Sequence, residues 1–232
     1  MKFSLVIPCY NESANLPLLL ERCKYLAEQP DVEVILVDNG STDDSPQVLE
    51  RLLPAYPGCR SVRVEVNQGY GFGILSGLHA AEGEILGWTH ADLQTDPVDA
   101  LRGLELFAQH GPDIFVKGRR YGRPWVDVVI TFGMSVFETV LLGKPLWDIN
   151  AQPTMFSRTF FQRWQDAPSD FALDLYAYYQ AQIDGLKVYR FAVRFGERAH
   201  GVSHWNVNWA AKRKFIRRTV DFSLQLKKSV RA

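Results

Sequence analysis

Cysteine is scarce in this chain: Cys9, Cys23 and Cys59 are the only three among 232 residues. An odd number without metal-type spacing excludes a disulfide framework and a cysteine-based metal site, and reads as a reduced, cytoplasmic protein. Net charge is missing too. The 26 basic residues match 26 acidic ones, which argues against a general nucleic-acid binder. No apolar run reaches the roughly 20 residues that cross a bilayer. The opening MKFSLVIPCY is too short in its apolar part for a signal peptide and reads as a first strand. The expectation is a soluble chain, peripheral to a membrane at most. Repeats, low-complexity tracts and linkers are also lacking, so residues 1–232 read as a single domain.

What is there is an ordinary globular composition, 47% hydrophobic and 22% charged, with an uneven charge distribution. Lys212 to Arg231 holds eight of the 26 basic residues and only one acidic residue, Asp221. Trp205, Trp209, Phe215, Ile216, Val220 and Leu224 are interleaved with those cations. Residues 205–232 therefore read as a basic amphipathic helix, either lying on an anionic membrane surface or docked on the domain with a solvated basic face.

Short β-branched runs at 3–8, 32–37, 61–66, 84–89 and 113–117 alternate with helical patterns at 13–27, 70–81 and 96–109. Ser41 to Asp44 reads as a capping box for a helix to about Leu53, and Asp96-Pro97 as an N-cap and first helical residue. This alternation predicts an α/β fold with a mostly parallel sheet, whose ligands bind at the carboxyl ends of the strands. Beyond 120 the alternation weakens: 125–142 and 172–183 read as helices, 147–156 as irregular strand and 186–195 as strand.

Polar residues gather where the strands end. Asp92 and Gln94 alternate out of the fourth strand, which suits two oxygen ligands for Mn²⁺ or Mg²⁺ clamping a diphosphate. Satisfying backbone groups in the turn is the competing use of the same two side chains. Gly71-x-Gly73-x-x-Ser76 is a near miss of the dinucleotide fingerprint, but it follows the third strand instead of the first.

VIPCYNE (6–12), VDNGSTDDS (37–45), NQGYGFGILSGLHAAEGEI (67–85), ADLQTDP (91–97) and GRRY (118–121), in that order, resemble the family 2 glycosyltransferases of GT-A fold. The pattern is most similar to the dolichol-phosphate mannose synthase branch. The resemblance implies a nucleotide-diphospho-sugar transferase with a Rossmann-like sandwich: a donor half (1–120), an acceptor half (121–204) and the basic helix. It implies an inverting hexosyltransferase that uses a nucleotide diphosphate-sugar donor and a polyprenyl-phosphate or glycan acceptor, at the inner face of a membrane.

By the same resemblance Pro8, Tyr10, Glu12, Asp38 and Ala91 line the nucleotide pocket, Asp92 and Gln94 hold the metal, and Arg120 and Arg198 contact phosphate. The chain departs from the pattern at three places. His90 stands where the family has Asp, and is either a ligand or a supporting residue. Thr131 stands where the branch has an Arg four residues before Ser135, and His204 follows Ser203 where Lys is expected. A phosphate acceptor needs no general base, whereas a hydroxyl acceptor does. Asp174 lies near where hydroxyl-using members carry theirs, with Asp148 and Asp170 as weaker candidates. A sugar-nucleotide-binding paralogue without turnover and a nucleotidyltransferase are the other readings, though CYNESAN is not the Gly-rich basic loop the latter needs.

Overall fold

The computed structural model describes residues 1–200 and 209–229. Ser203, His204 and Trp205, expected in a phosphate-contacting loop and the start of the basic helix, lie outside the described residues.

Seven strands form one sheet in the order β3-β2-β1-β4-β6-β5-β7. They are β1 (Phe3–Cys9), β2 (Val32–Asn39), β3 (Cys59–Val64), β4 (Ile85–Trp88), β5 (Ile114–Tyr121), β6 (Thr154–Ser157) and β7 (Lys187–Arg194). β6 pairs antiparallel with both its neighbours, and every other pairing is parallel. The central strands β1 and β2 are buried almost throughout, which is why they read as continuous apolar runs. The helices are α1 (Leu16–Ala27), α2 (Ser45–Leu52), α3 (Tyr70–Ala80), α4 (Ala100–His110), α5 (Trp125–Leu142), α6 (Arg158–Phe161), α7 (Leu173–Ile183) and α8 (Trp209–Ser229).

Each face of the sheet carries its own core. Val6, Val37, Ile74, Trp88, Phe115 and Phe156 belong to one, and Leu5, Ile7, Leu20, Leu36, Phe107 and Met155 to the other. The glycine run of α3 serves this packing. A Cβ on Gly77 would stand 2.4 Å from Val6 Cγ1, and one on Gly71 would stand 2.6 Å from the Pro168 and Asp170 carbonyl oxygens. The run is bare because sheet and loop press against it, which accounts for it without a dinucleotide.

Two local expectations change. The 41–44 box does not cap α2, which starts at Ser45 with Pro46 in its first turn. Ser41 Oγ instead accepts from Asn11 N at 3.1 Å, tying the loop after β2 to the loop after β1. The second change concerns membranes. α5 is 18 residues long with a mean hydropathy of 1.7, apolar enough by length and composition to cross one. Counting uninterrupted apolar residues missed it, because Asp127 and Glu138 interrupt the run.

Candidate functional site

The parallel strands aim their carboxyl ends at one edge, and the strand order switches direction between β1 and β4, the point at which sheets of this kind bind ligands. The loop after β1 brings Tyr10, 42% exposed, and Glu12, while Pro8 lies within the strand. That loop is locked to the next: Thr42 N donates to Asn11 Oδ1 at 2.8 Å, and Glu12 N to Ser45 Oγ at 2.9 Å. Asn11 takes a left-handed φ of 55° in this corner. Glu12 is pushed above the usual carboxylate range by burial, against the lowering effect of the Asn15 amide that donates to it.

Asp38 ends β2 almost fully buried. One carboxylate oxygen accepts from Ser41 N at 3.0 Å, while the other is buried without a hydrogen-bond partner. Arg63 Nε, 3.9 Å away, is too distant to satisfy it. A buried acceptor left open suits the ring N–H of a base.

At the end of β4, Ala91 and Asp92 are buried and Leu93 turns at φ 60°. Asp92 accepts from Gln94 N at 3.1 Å and pairs with Arg198 at 2.9 Å. Gln94 is strapped to the segment after β7: Gly196 N donates to its carbonyl at 2.7 Å, and its Nε2 donates to Gly196 O at 3.2 Å. Residues 92–94 and 196–198, over a hundred positions apart, thus form one structure. A group of three His, Cys, Asp or Glu side chains arranged to hold a metal is absent among the described residues. Asp92 nonetheless fits a cation, since its carboxylate already holds the positive Arg198. Water, diphosphate oxygens and Gln94 would complete such a site.

The opposite wall is basic. Arg120 donates to Asp148 through its backbone N and its guanidinium. Arg123, 8% exposed at its side chain, lies 3.9 Å from the same carboxylate. Both guanidinium groups face the Phe195 ring, at 5.4 and 5.5 Å from its centroid. Arg190 secures the cluster from below by donating to the carbonyls of Trp147, Gly118 and Asp148. Burial opposes ionisation of Asp148, but the Arg120 guanidinium beside it holds its carboxyl below the usual range. Three guanidinium groups around one carboxylate leave an excess of positive charge. The Arg123 Nε and Arg190 Nε are buried without partners. Arg123 Nη1 also donates to Thr131 Oγ1 at 2.9 Å, so a guanidinium stands beside Thr131 although its own side chain carries no charge.

Asp174, in the first turn of α7, is 1% exposed and accepts from Gln152 Nε2 at 2.6 Å. Its charge acts on the buried Lys117, whose amine donates to Thr154 Oγ1 at 2.6 Å. Burial depresses the Lys117 pKa to about 7, with Asp174 opposing the shift. Gln152, Tyr70 and Lys117 were not singled out by sequence reasoning. They lie on different elements, and no spacing rule joins them.

The mostly parallel sheet with one reversed strand is that of the GT-A class of nucleotide-sugar-binding folds, on whose solved members it superposes. Glucosyl-3-phosphoglycerate synthase from Mycobacterium tuberculosis, solved with UDP, superposes with a TM-score of 0.73 over 98% of this chain and 80% of its own, at 20% identity. A mannosyltransferase from Pyrobaculum calidifontis, solved with GDP-Man and Mn²⁺, gives 0.67 over 93% and 64%, at 21% identity. The profile of glycosyl transferase family 2 matches residues 4–164, and the chain belongs to that family. Among curated relatives, the undecaprenyl-phosphate 4-deoxy-4-formamido-L-arabinose transferase of Proteus mirabilis is 38% identical over 164 residues, 68% of this chain and 49% of the relative. That of Sodalis glossinidius is 41% identical over 112 residues, 47% and 34% respectively. The chain thus spans between a third and half of the length of these relatives.

Proposed function

We propose that this chain transfers a sugar from a nucleotide diphosphate-sugar to a lipid phosphate at a membrane surface, with inversion at the anomeric carbon. The observation that carries the reading is the polarity of α5. Its polar residues face the domain: Thr131 meets Arg123, Ser135 Oγ accepts from Asp148 N at 3.0 Å, Thr139 Oγ1 accepts from Leu146 N at 3.0 Å, and Glu138 accepts from Ser223 at 2.8 Å. Its apolar residues face outward, Phe132 at 60% and Val140 at 77% exposure, with Trp125, Val129 and Val136 beside them. Water does not favour such an inverted helix, and a continuous apolar patch of this kind marks an interaction surface. A lipid surface suits it because the exposed Arg213 and Arg217 of α8, which packs on α5, add positive charge for anionic headgroups. The polar stripe holds α5 to the domain along its length, so it lies in the interface plane instead of crossing the bilayer.

The basic wall stands at the start of this helix, where a lipid phosphate would arrive. Arg120 and Arg123 would hold the acceptor phosphate, and Asp148 would orient them. A phosphate oxygen is ionised and attacks without a general base, which agrees with the burial of Asp174. The names of the curated relatives place undecaprenyl-phosphate as the acceptor in those proteins. On the donor side, Asp38 and Tyr10 would hold the nucleoside, Glu12 and Ala91 would shape the pocket, and Asp92 with Gln94 would hold Mn²⁺ or Mg²⁺. The cation supplies neutralisation of the leaving diphosphate. Arg198 would move from Asp92 toward phosphate as donor and metal enter. The test is transfer of radiolabelled sugar from a panel of nucleotide sugars to undecaprenyl phosphate in anionic vesicles, with and without Mn²⁺. Transfer to the lipid establishes the reading; binding of a nucleotide sugar without turnover on any acceptor would instead favour a binding paralogue.

A further inference from the structure

Trp147 and Phe132 are large aromatic side chains that belong to neither core, and both are exposed. Trp147 sits in the segment between α5 and β6, and Phe132 on the outward face of α5. They nevertheless meet, with ring centroids 5.6 Å apart and planes inclined at 32°. Two exposed rings in contact bury little of their area, so core packing does not account for them. Their place in the chain is specific. Trp147 immediately precedes Asp148, which accepts from Arg120, and Phe132 immediately follows Thr131, which accepts from Arg123. The Trp147 carbonyl is itself held by Arg190 Nη1. The aromatic pair is thus built from the chain neighbours of the two groups that fix the basic wall.

A lipid phosphate carries its chain directly on the phosphate, so a phosphate held by Arg120 and Arg123 keeps the first carbons of that chain close to the wall. The excess positive charge around Asp148 complements the anion. The two rings, each one residue along the chain from a group of that wall, offer apolar faces to the carbons that follow. A prenyl chain suits such faces better than a straight saturated one. Each repeat unit has a planar double bond and a methyl branch, so it lies flat against a ring. It also has fewer rotatable bonds per carbon, and so loses less freedom when held.

We propose that Trp147 and Phe132 grip the first isoprene units of the acceptor lipid, so that the protein selects a prenyl phosphate over a straight-chain alkyl phosphate. The inference rests on the lipid-phosphate reading given above, and it assigns both rings to acceptor binding and neither to the chemical step. It is separate from the docking of α5 on a lipid surface. Trp147 lies off that helix, and a surface without prenyl chains would cover the outward face of α5 equally well.

Undecaprenyl phosphate and octadecyl phosphate, at the same mole fraction in micelles of one neutral detergent, present the two kinds of chain in the same setting. Transfer of radiolabelled sugar to each, from a panel of nucleotide sugars, gives kcat and KM for the full chain. Wild type should favour the prenyl phosphate in kcat/KM by about tenfold. Trp147→Ala and Phe132→Ala should each raise KM for undecaprenyl phosphate with kcat held, and bring the preference toward one. Trp147→Phe, which keeps a ring, should recover part of it. Equal use of the two lipids by wild type would overturn the inference, as would an unchanged KM in both alanine variants. Equal losses on both lipids would also overturn it, because that is the result expected if Trp147 only positions Asp148. Wild type that transfers to neither lipid would overturn the lipid-phosphate reading itself, a failure distinct from transfer without selection.

Discussion

The two halves of the molecule bury their polar groups by opposite rules. In residues 1–120, strands β1, β2 and β4 are mostly apolar and, apart from the Ser4–Glu33 pair near their amino ends, place their polar residues at the carboxyl ends, where adjacent loops interlock. In the acceptor half, α5 turns its polar residues inward and its apolar ones out. The first arrangement is complete in water. The second makes sense only if something apolar lies against it. In the proposed reading, the first half holds a soluble ligand and α5 meets one delivered from a lipid surface.

The largest expected effect tests the donor half. Asp92→Ala removes the buried carboxylate on which Arg198, Gln94 and the proposed cation converge. Transfer should fall by roughly 10²–10³-fold, the range for losing one group that stabilises developing charge. Calorimetric titration with UDP and GDP should lose its Mn²⁺ dependence. Full metal-dependent binding in the variant would remove Asp92 from the site.

The next test breaks the comparison directly. Val129→Glu with Phe132→Glu places two charges on the outward face of α5. Burying two such side chains in lipid is worth about 3–5 kcal/mol, so co-sedimentation with anionic vesicles should fall by about 100-fold or more. Stability should change little, within about 0.5 kcal/mol, because both side chains are exposed in the domain. Strong destabilisation with unchanged vesicle binding would mean that α5 is covered by protein. Smaller still is Arg123→Ala, which should lower transfer by about tenfold through the loss of one charge-assisted contact, with vesicle binding unaffected. Arg123→Lys should recover only part of it, since a lysine presents a point charge without the planar fork.

The donor half was legible in sequence because its signals are local. Apolar runs located five of the strands to within a few residues, and Asp96 caps the turn at Pro97 by accepting from Val98 N. The loops that carry Tyr10, Glu12 and Asp38 are tied together through Ser41 and Ser45, and Asp92 lies close enough to Glu12 for its charge to act on that carboxyl. What was not legible depends on partners distant in sequence. The box at 41–44 failed as a cap because Asn11 competes for Ser41. The irregular run 147–156 resolves into the reversed strand β6 and the loop carrying Asp148, whose left-handed φ of 45° aims its carboxylate at Arg120. The charge missing at Thr131 is supplied in space by Arg123, eight residues away. No pattern in the chain announces any of these.

The smallest effect concerns the seam that joins α5 to α8. Glu138 is buried with one oxygen accepting from Ser223 and the other unpartnered, and burial raises its pKa from 4.5 to about 7. The folded state therefore binds this proton more tightly than the unfolded chain. Stability is undiminished below about pH 4.5, falls as pH rises toward 7, and stays lower above it. Glu138→Gln cannot ionise, so its stability relative to wild type should climb across that window. A rise on the order of 2 kcal/mol is expected between pH 5 and pH 8. Urea unfolding of both proteins at several pH values measures it, and the wild-type difference cancels titrations elsewhere. A difference that is flat with pH would show that Glu138 is ionised and solvated in the folded state. The α5–α8 seam would then be open to water, and the inward polar stripe would end before it.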